Sequence, residues 1–170
     1  MDYLISVSNL KRLGIIHNNT DTKLLAVAIK RTQDIHVQPA LGTPLYNALL
    51  TRVQTNSWTT NYSNLMNNYV IPCLVAFVDY RCAYLLNDKL TNKTVGRVSD
   101  DAITSNSDSQ TTHLREQLKK DAQFYKQRLI GYLKDDNGVM FAEYIESYGD
   151  NVNEYVKKDN TGYKPNNWIV

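Results

Sequence analysis

The most constraining feature of this chain is Tyr69-Val70-Ile71-Pro72-Cys73-Leu74-Val75-Ala76-Phe77-Val78, which is apolar at nearly every position. It sits inside a pattern that predicts a helix from about Ser63 to Lys89. A helix that is apolar all round must be covered on several sides, so this segment is expected at the centre of the fold. Pro72 is its difficulty, because proline has no N–H and its ring clashes with the carbonyl four residues back, that of Asn68. Either the helix kinks there, or a helix starts at Ile71 with Pro72 in its first turn. The kink is the preferred reading.

Other helices are expected around this one. Ser8 is placed as the cap of one turn that Gly14 ends. Leu25, Ala28, Ile29, Thr32 and Ile35 follow helical spacing and form one stripe of a helix from Asp21 to about Ile35. Thr20 or Asp21 caps it, and Pro39 is expected to stop it soon after. Gly42-Thr43-Pro44 is the clearest punctuation: Thr43 is a good cap and Pro44 suits a first helical position. A helix from Pro44 to about Gln54 should then turn Leu45, Leu49 and Ala48 inward. The best periodicity lies in Thr112 to Leu133, where Leu114, Leu118, Ala122, Tyr125, Leu129 and Leu133 make a seam. A short helix, Val139 to Ser147, comes after it.

The expected fold class is all-α, a compact helical bundle around one long central helix. Residues 1–147 form the helical domain. It carries a polar loop at 91–110, rich in Thr, Asn, Ser and Asp, in which Thr94 to Val98 suits half of a small hairpin. Residues 148–170 form an extended C-terminal arm, polar until Trp168-Ile169-Val170. Too few apolar groups offset the backbone entropy of the loop, so it should be the most mobile internal segment. The chain has 170 residues, and surface scaling lets a chain of that size bury about 70% of its unfolded surface.

The formal net charge is +2, which excludes a polyanion-coating role on bulk electrostatics. The charge drifts along the chain: residues 1–60 carry +3, 61–133 carry +2 and 134–170 carry −3. Opposite signs at opposite ends suit head-to-tail contacts between copies. Cys73 and Cys82 fall on one predicted helix, roughly 13 Å apart along its axis at about 1.5 Å per residue. A disulfide needs Cα atoms within about 7 Å, so both read as core thiols. No basic region precedes a long apolar stretch at the start, so no signal peptide is expected. No apolar run is long enough to span a membrane.

The chemistry-bearing patterns are missing from the sequence. There is no GxGxxG or GxxxxGK phosphate loop, no HExxH and no CxxC. His17, His36 and His113 are far apart, so no metal site, cofactor or catalytic group is assigned. The predicted helix from Thr112 to Leu133, the fourth full helix of the chain, holds Arg115, Lys119, Lys120, Lys126 and Arg128 against Glu116 and Asp121. That is either a DNA-facing basic face or a solvated one balanced by pairs such as Glu116–Lys120. In the arm, Tyr163, Trp168, Ile169 and Val170 read as subunit-interface residues, since aromatic anchors at the end of a polar arm have nothing local to pack on.

Four stretches carry a resemblance. They are Thr32 to Tyr46 (TQDIHVQPALGTPLY), Asn67 to Leu74 (NNYVIPCL), Leu90 to Val95 (LTNKTV) and Ala122 to Leu133 (AQFYKQRLIGYL). Together they resemble the head–tail connector, or neck, structural proteins of crAss-like and related tailed bacteriophages of Bacteroidetes. The resemblance implies a mostly helical portal adaptor that is not an enzyme. It also implies a homo-oligomeric ring of about twelve copies, bound to the portal protein and other neck or tail proteins. DNA would be non-specific channel content. The location implied is the virion neck, after synthesis in the bacterial host cytoplasm. The alternative is a small helical nucleic-acid-binding or DNA-packaging accessory protein using the fourth helix.

Overall fold

The computed structural model describes residues 3–85, 88–90, 95–97, 108–135 and 140–144. They are overwhelmingly helical, as the all-α expectation requires. The arm at 148–170 and most of the loop at 91–110 lie outside the described residues.

The chain opens with α1, Val7–Leu13, and its cap is Ser6 rather than Ser8: the Ser6 hydroxyl accepts from the backbone N–H of Asn9. Then α2, Thr22–Thr32, starts at Asp21, whose carboxylate accepts from the N–H of Lys23. The helix does not stop before Pro39. It widens into a π turn at Gln33–Val37 and resumes as α3, Gln38–Leu41. A turn closed by i→i+5 bonds holds one extra residue. That residue rotates the helix beyond it, so Ile35 is 52% exposed while Gln33 and Val37 are buried.

Gly42 ends α3 and begins α4, Thr43–Thr55, with φ at 76°. That angle favours glycine, and it moves the cap one residue ahead of the expected Thr43. Asn56, also left-handed, ends α4. Leu45, Tyr46 and Leu49 of α4 are buried, while Ala48 is only half-buried.

The central helix repeats the device seen at Pro39. It runs as α5, Thr60–Leu65, a π turn at Met66–Val70, and α6, Ile71–Leu85. Pro39 and Pro72 both stand two residues beyond a five-residue π turn, each the second residue of the segment that resumes. The widened turn takes up the missing bond and the ring clash that regular α geometry would concentrate at Asn68. Pro72 therefore lies in a first turn, as one of the two readings had it, within a helix that continues through it.

Helix α6 ends at Leu85, short of Lys89. Asp88–Leu90 (β1) instead pairs antiparallel with Val95–Arg97 (β2), in the register Asp88↔Arg97, Lys89↔Gly96, Leu90↔Val95. Helix α7, Asp108–Lys134, starts four residues before the expected Thr112 and takes in the end of the polar loop. Of the short helix expected at 139–147, residues 142–144 are described and helical, with Phe141 and Tyr144 buried.

α6 packs most extensively against α7 and next against α2. Leu74, Val78, Cys73 and Phe77 of α6 meet Ala122, Leu129 and Leu133 of α7 and Leu25, Ala28 and Ile29 of α2 in one apolar core. Two stacked pairs of rings reinforce it: His36 lies flat on Phe77 with centroids 4.0 Å apart, and Tyr69 on Tyr132 at 3.9 Å. Gln33 is the polar tie, buried without penalty because its carbonyl accepts from the N–H of Leu4 at 2.8 Å while its amide donates to the Tyr46 hydroxyl at 2.8 Å. Phe77→Ala removes a ring that is both buried and stacked, so it should cost about 3–5 kcal/mol in urea unfolding. A loss under about 1 kcal/mol would place the core elsewhere.

Candidate docking groove

The seam of α7 is only partly covered. Ala122, Leu129 and Leu133 are buried, but Leu118 and Tyr125 are half-buried and Leu114 is exposed. The expected seam therefore stays open over its first two turns. Beside Leu118, the end of α1 brings Leu13 and Ile15, which are 50% and 70% exposed. With Ile71, Val75 and Pro72 of α6 they line a groove of about 340 Å³.

One buried charged side chain lines this groove. Asp79 is 7% exposed. Its Oδ2 accepts one long hydrogen bond, 3.4 Å, from the N–H of Ile15, and its Oδ1 has no partner. Gly14 makes the close approach possible, since a Cβ at that position would lie 2.7 Å from Oδ1. Burial pushes the carboxyl up from 3.8 to about 6, against a smaller downward pull from the Ile15 N–H. Asp121 adds a second, exposed carboxylate at the rim. Sequence reading missed Asp79, although a signal existed: it is the one charged residue between Met66 and Tyr80.

The expected basic face is less coherent than its composition suggests. At about 100° per residue, Arg115, Lys119 and Lys126 share one flank of α7, Lys120 points away from the seam, and Arg128 lies on the other flank. Lys126 is half-buried, and its charge reaches Cys73 and His36. Arg115 and Arg128 stand over the rings of Tyr80 and Tyr69, at 5.6 and 5.1 Å, which holds part of the positive charge on α6 and the π turn before it. Glu116 and Lys120 do not pair with each other, whereas Lys30 and Asp34, at the same spacing on α2 and the π turn after it, do so at 2.8 Å. Tyr163, Trp168, Ile169 and Val170 lie outside the described residues.

Cys73 and Cys82 are free and buried, as expected of core thiols, and burial pushes them up to about 12 and about 11. The three histidines do not converge, and no group of three or more His, Cys, Asp or Glu suited to a metal occurs among the described residues. His36 is held below its usual range, first by burial and then by Arg81 and Lys126. No described helix is long and apolar enough to cross a membrane.

A family model described as a family of unknown function, DUF6712, matches residues 37–154. The chain belongs to that family. No curated protein and no solved structure matches it. The DUF6712 stretch holds the α6 and α7 walls of the groove, Asp79 and Leu118 included, while the α1 edge with Leu13, Gly14 and Ile15 precedes it.

The raised Asp79 carboxyl makes stability depend on pH. Between about pH 4 and about pH 6 the native chain keeps a proton that the unfolded chain has lost. Stability is therefore fully present below that window and falls as pH rises through it. Asp79→Asn should remove this dependence and raise urea stability at pH 7.5 by on the order of 2 kcal/mol, with the gap closing below pH 4. An Asn variant that is less stable than the parent at pH 7.5 would contradict the buried, under-bonded carboxylate.

Proposed function

We propose that this chain is a structural subunit of a tailed-phage virion, a head–tail connector that assembles with copies of itself as a ring at the portal. In this reading it is an interaction protein and not an enzyme. Residues 1–147 form a compact bundle around the α5–α6 helix, and 148–170 form an arm that reaches a neighbour. DNA passes through the ring as non-specific content, and the site of action is the neck of the virion.

The observation that carries the reading is the open apolar seam. Leu13, Ile15 and Leu118 border a groove, and Leu114 lies exposed one turn further along the same seam. Apolar surface left in this form is what an assembling subunit offers to another copy. The four sequence stretches that resemble neck proteins supply the kind of assembly. They overlap the DUF6712 match from Val37 onward. The nucleic-acid alternative draws on Arg115, Lys119 and Lys120, which are exposed, but Arg115 and Arg128 are engaged with tyrosine rings.

The test is assembly set against DNA affinity. Native mass and negative-stain images of the full chain, alone and with portal protein, should show a closed ring or a portal-bound complex. Its affinity for duplex DNA should be weak and change little with salt. Deleting residues 160–170 should leave helical content and melting nearly unchanged while weakening assembly. A monomer that ignores the portal and binds DNA with an affinity falling steeply with salt would favour the accessory-protein alternative.

A further inference from the structure

We propose that the groove between α1, α6 and α7 is the receptor for Trp168-Ile169-Val170 of a second copy, with the Trp168 indole N–H donating to the Asp79 carboxylate. This rests on the reading of the chain as a subunit that assembles with itself, and it identifies the contact that links one copy to the next.

The groove defines its occupant by chemistry. Its walls are apolar, with Leu13, Ile15, Ile71, Val75 and Leu118 facing the space, so most of the occupant must be apolar. Its buried carboxylate accepts a single long hydrogen bond where a buried acceptor pair calls for more. Rotation about Cβ–Cγ exchanges the two oxygens, so either can meet a donor entering the groove. The occupant must therefore carry one hydrogen-bond donor on a large apolar body. Tryptophan is donor-only and bulky.

The chain offers two tryptophans. Trp58 is half-buried against the core of its own fold. Trp168 is succeeded directly by Ile169 and Val170, which suit the apolar walls, and is preceded by polar residues. The lysines and tyrosines beyond Tyr144 (Lys157, Lys158, Lys164, Tyr148, Tyr155, Tyr163) are donors too, but none is succeeded by two such aliphatic residues.

Reach is ample. Trp168 is 24 residues beyond Tyr144, the last described residue, and an extended chain spans up to about 3.3 Å per residue. That allows roughly 80 Å, well beyond the next subunit of a ring. Donating the arm head-to-tail leaves every groove filled and every arm seated once the ring closes, the arrangement of a heterologous cyclic interface.

The test uses cysteine pairs in the full chain. Cys73 and Cys82 are buried and their thiols are strongly raised, so they stay silent at pH 8. Ile15→Cys and Asn167→Cys variants are mixed in equal amounts and oxidised with oxidised glutathione. The expected product is a disulfide-linked pair containing one chain of each variant, and the double variant should give ladders of linked copies. A double variant linked only within single chains seats the arm on its own fold and overturns the inference. So does an absence of any link, the result expected when another segment fills the groove.

Native mass of the unmodified chain, measured in parallel, separates the two failures. A ring without the cross-link sinks only the groove assignment. A persistent monomer with the link inside one chain, even with portal present, sinks the connector reading as well.

The hydrogen bond has its own readout. Trp168→Phe keeps the ring and loses the donor. It should weaken assembly about tenfold in the chain with Asp79 and leave it nearly unchanged in an Asp79→Leu background. Equal losses in both backgrounds would remove the indole–carboxylate contact.

Discussion

Everything in this fold depends on burying α6. A helix apolar on nearly every side cannot rest on one neighbour, so α7 and α2 close on it from different directions and α5 leads into it through a continuous turn. The polar exceptions stem from that burial. Gln33 is tolerated at the centre because Leu4 and Tyr46 satisfy it. Asp79 is satisfied only in part, and its burial pushes the carboxyl up to about 6 against the pull of the one Ile15 N–H. The same helix thus carries both the strongest packing and a buried carboxylate with too few donors.

Two prolines shape how the helices reach the core. A proline in a regular helix interior costs about 3 kcal/mol or more. Here the two that interrupt long helices are each preceded by a π turn, with the N–H of Gln38 bonded to the carbonyl of Gln33 and that of Ile71 to the carbonyl of Met66. The extra residue changes the phase of the helix. It turns Gln33 and Val37 inward and Ile35 outward, so the π turn selects which residues of the TQDIHVQPAL stretch form the core.

Arginine–tyrosine stacking edges the packed helices. Arg52 lies 3.7 Å over Tyr62, and Arg128 and Arg115 lie over Tyr69 and Tyr80. Tyr62 also donates to Glu143, which ties α5 to the segment after α7. These contacts give several of the chain's many tyrosines a role, and they draw two arginines of α7 away from a single exposed face. The open end of the α7 seam is different in kind, since aliphatic side chains there meet solvent beside an under-bonded carboxylate.

The sequence alone determined the helical class, the central place of Tyr69 to Val78, the inward faces at Leu25, Leu45, Leu74 and Leu129, and the burial of both cysteines. Those rest on periodicity and on the cost of leaving apolar surface in water, which are local properties. The cap at Ser6, the phase of Ile35 and the exposure of Leu114 were decided in three dimensions. An i→i+5 turn leaves no mark in residue spacing, and a seam shows its period but not how far its partner extends along it. The groove was illegible for the same reason. Leu13, Gly14 and Ile15 are more than sixty residues from Asp79 in the chain, and only the approach of the α1 end to α6 brings a glycine without a Cβ to a carboxylate without a full set of donors.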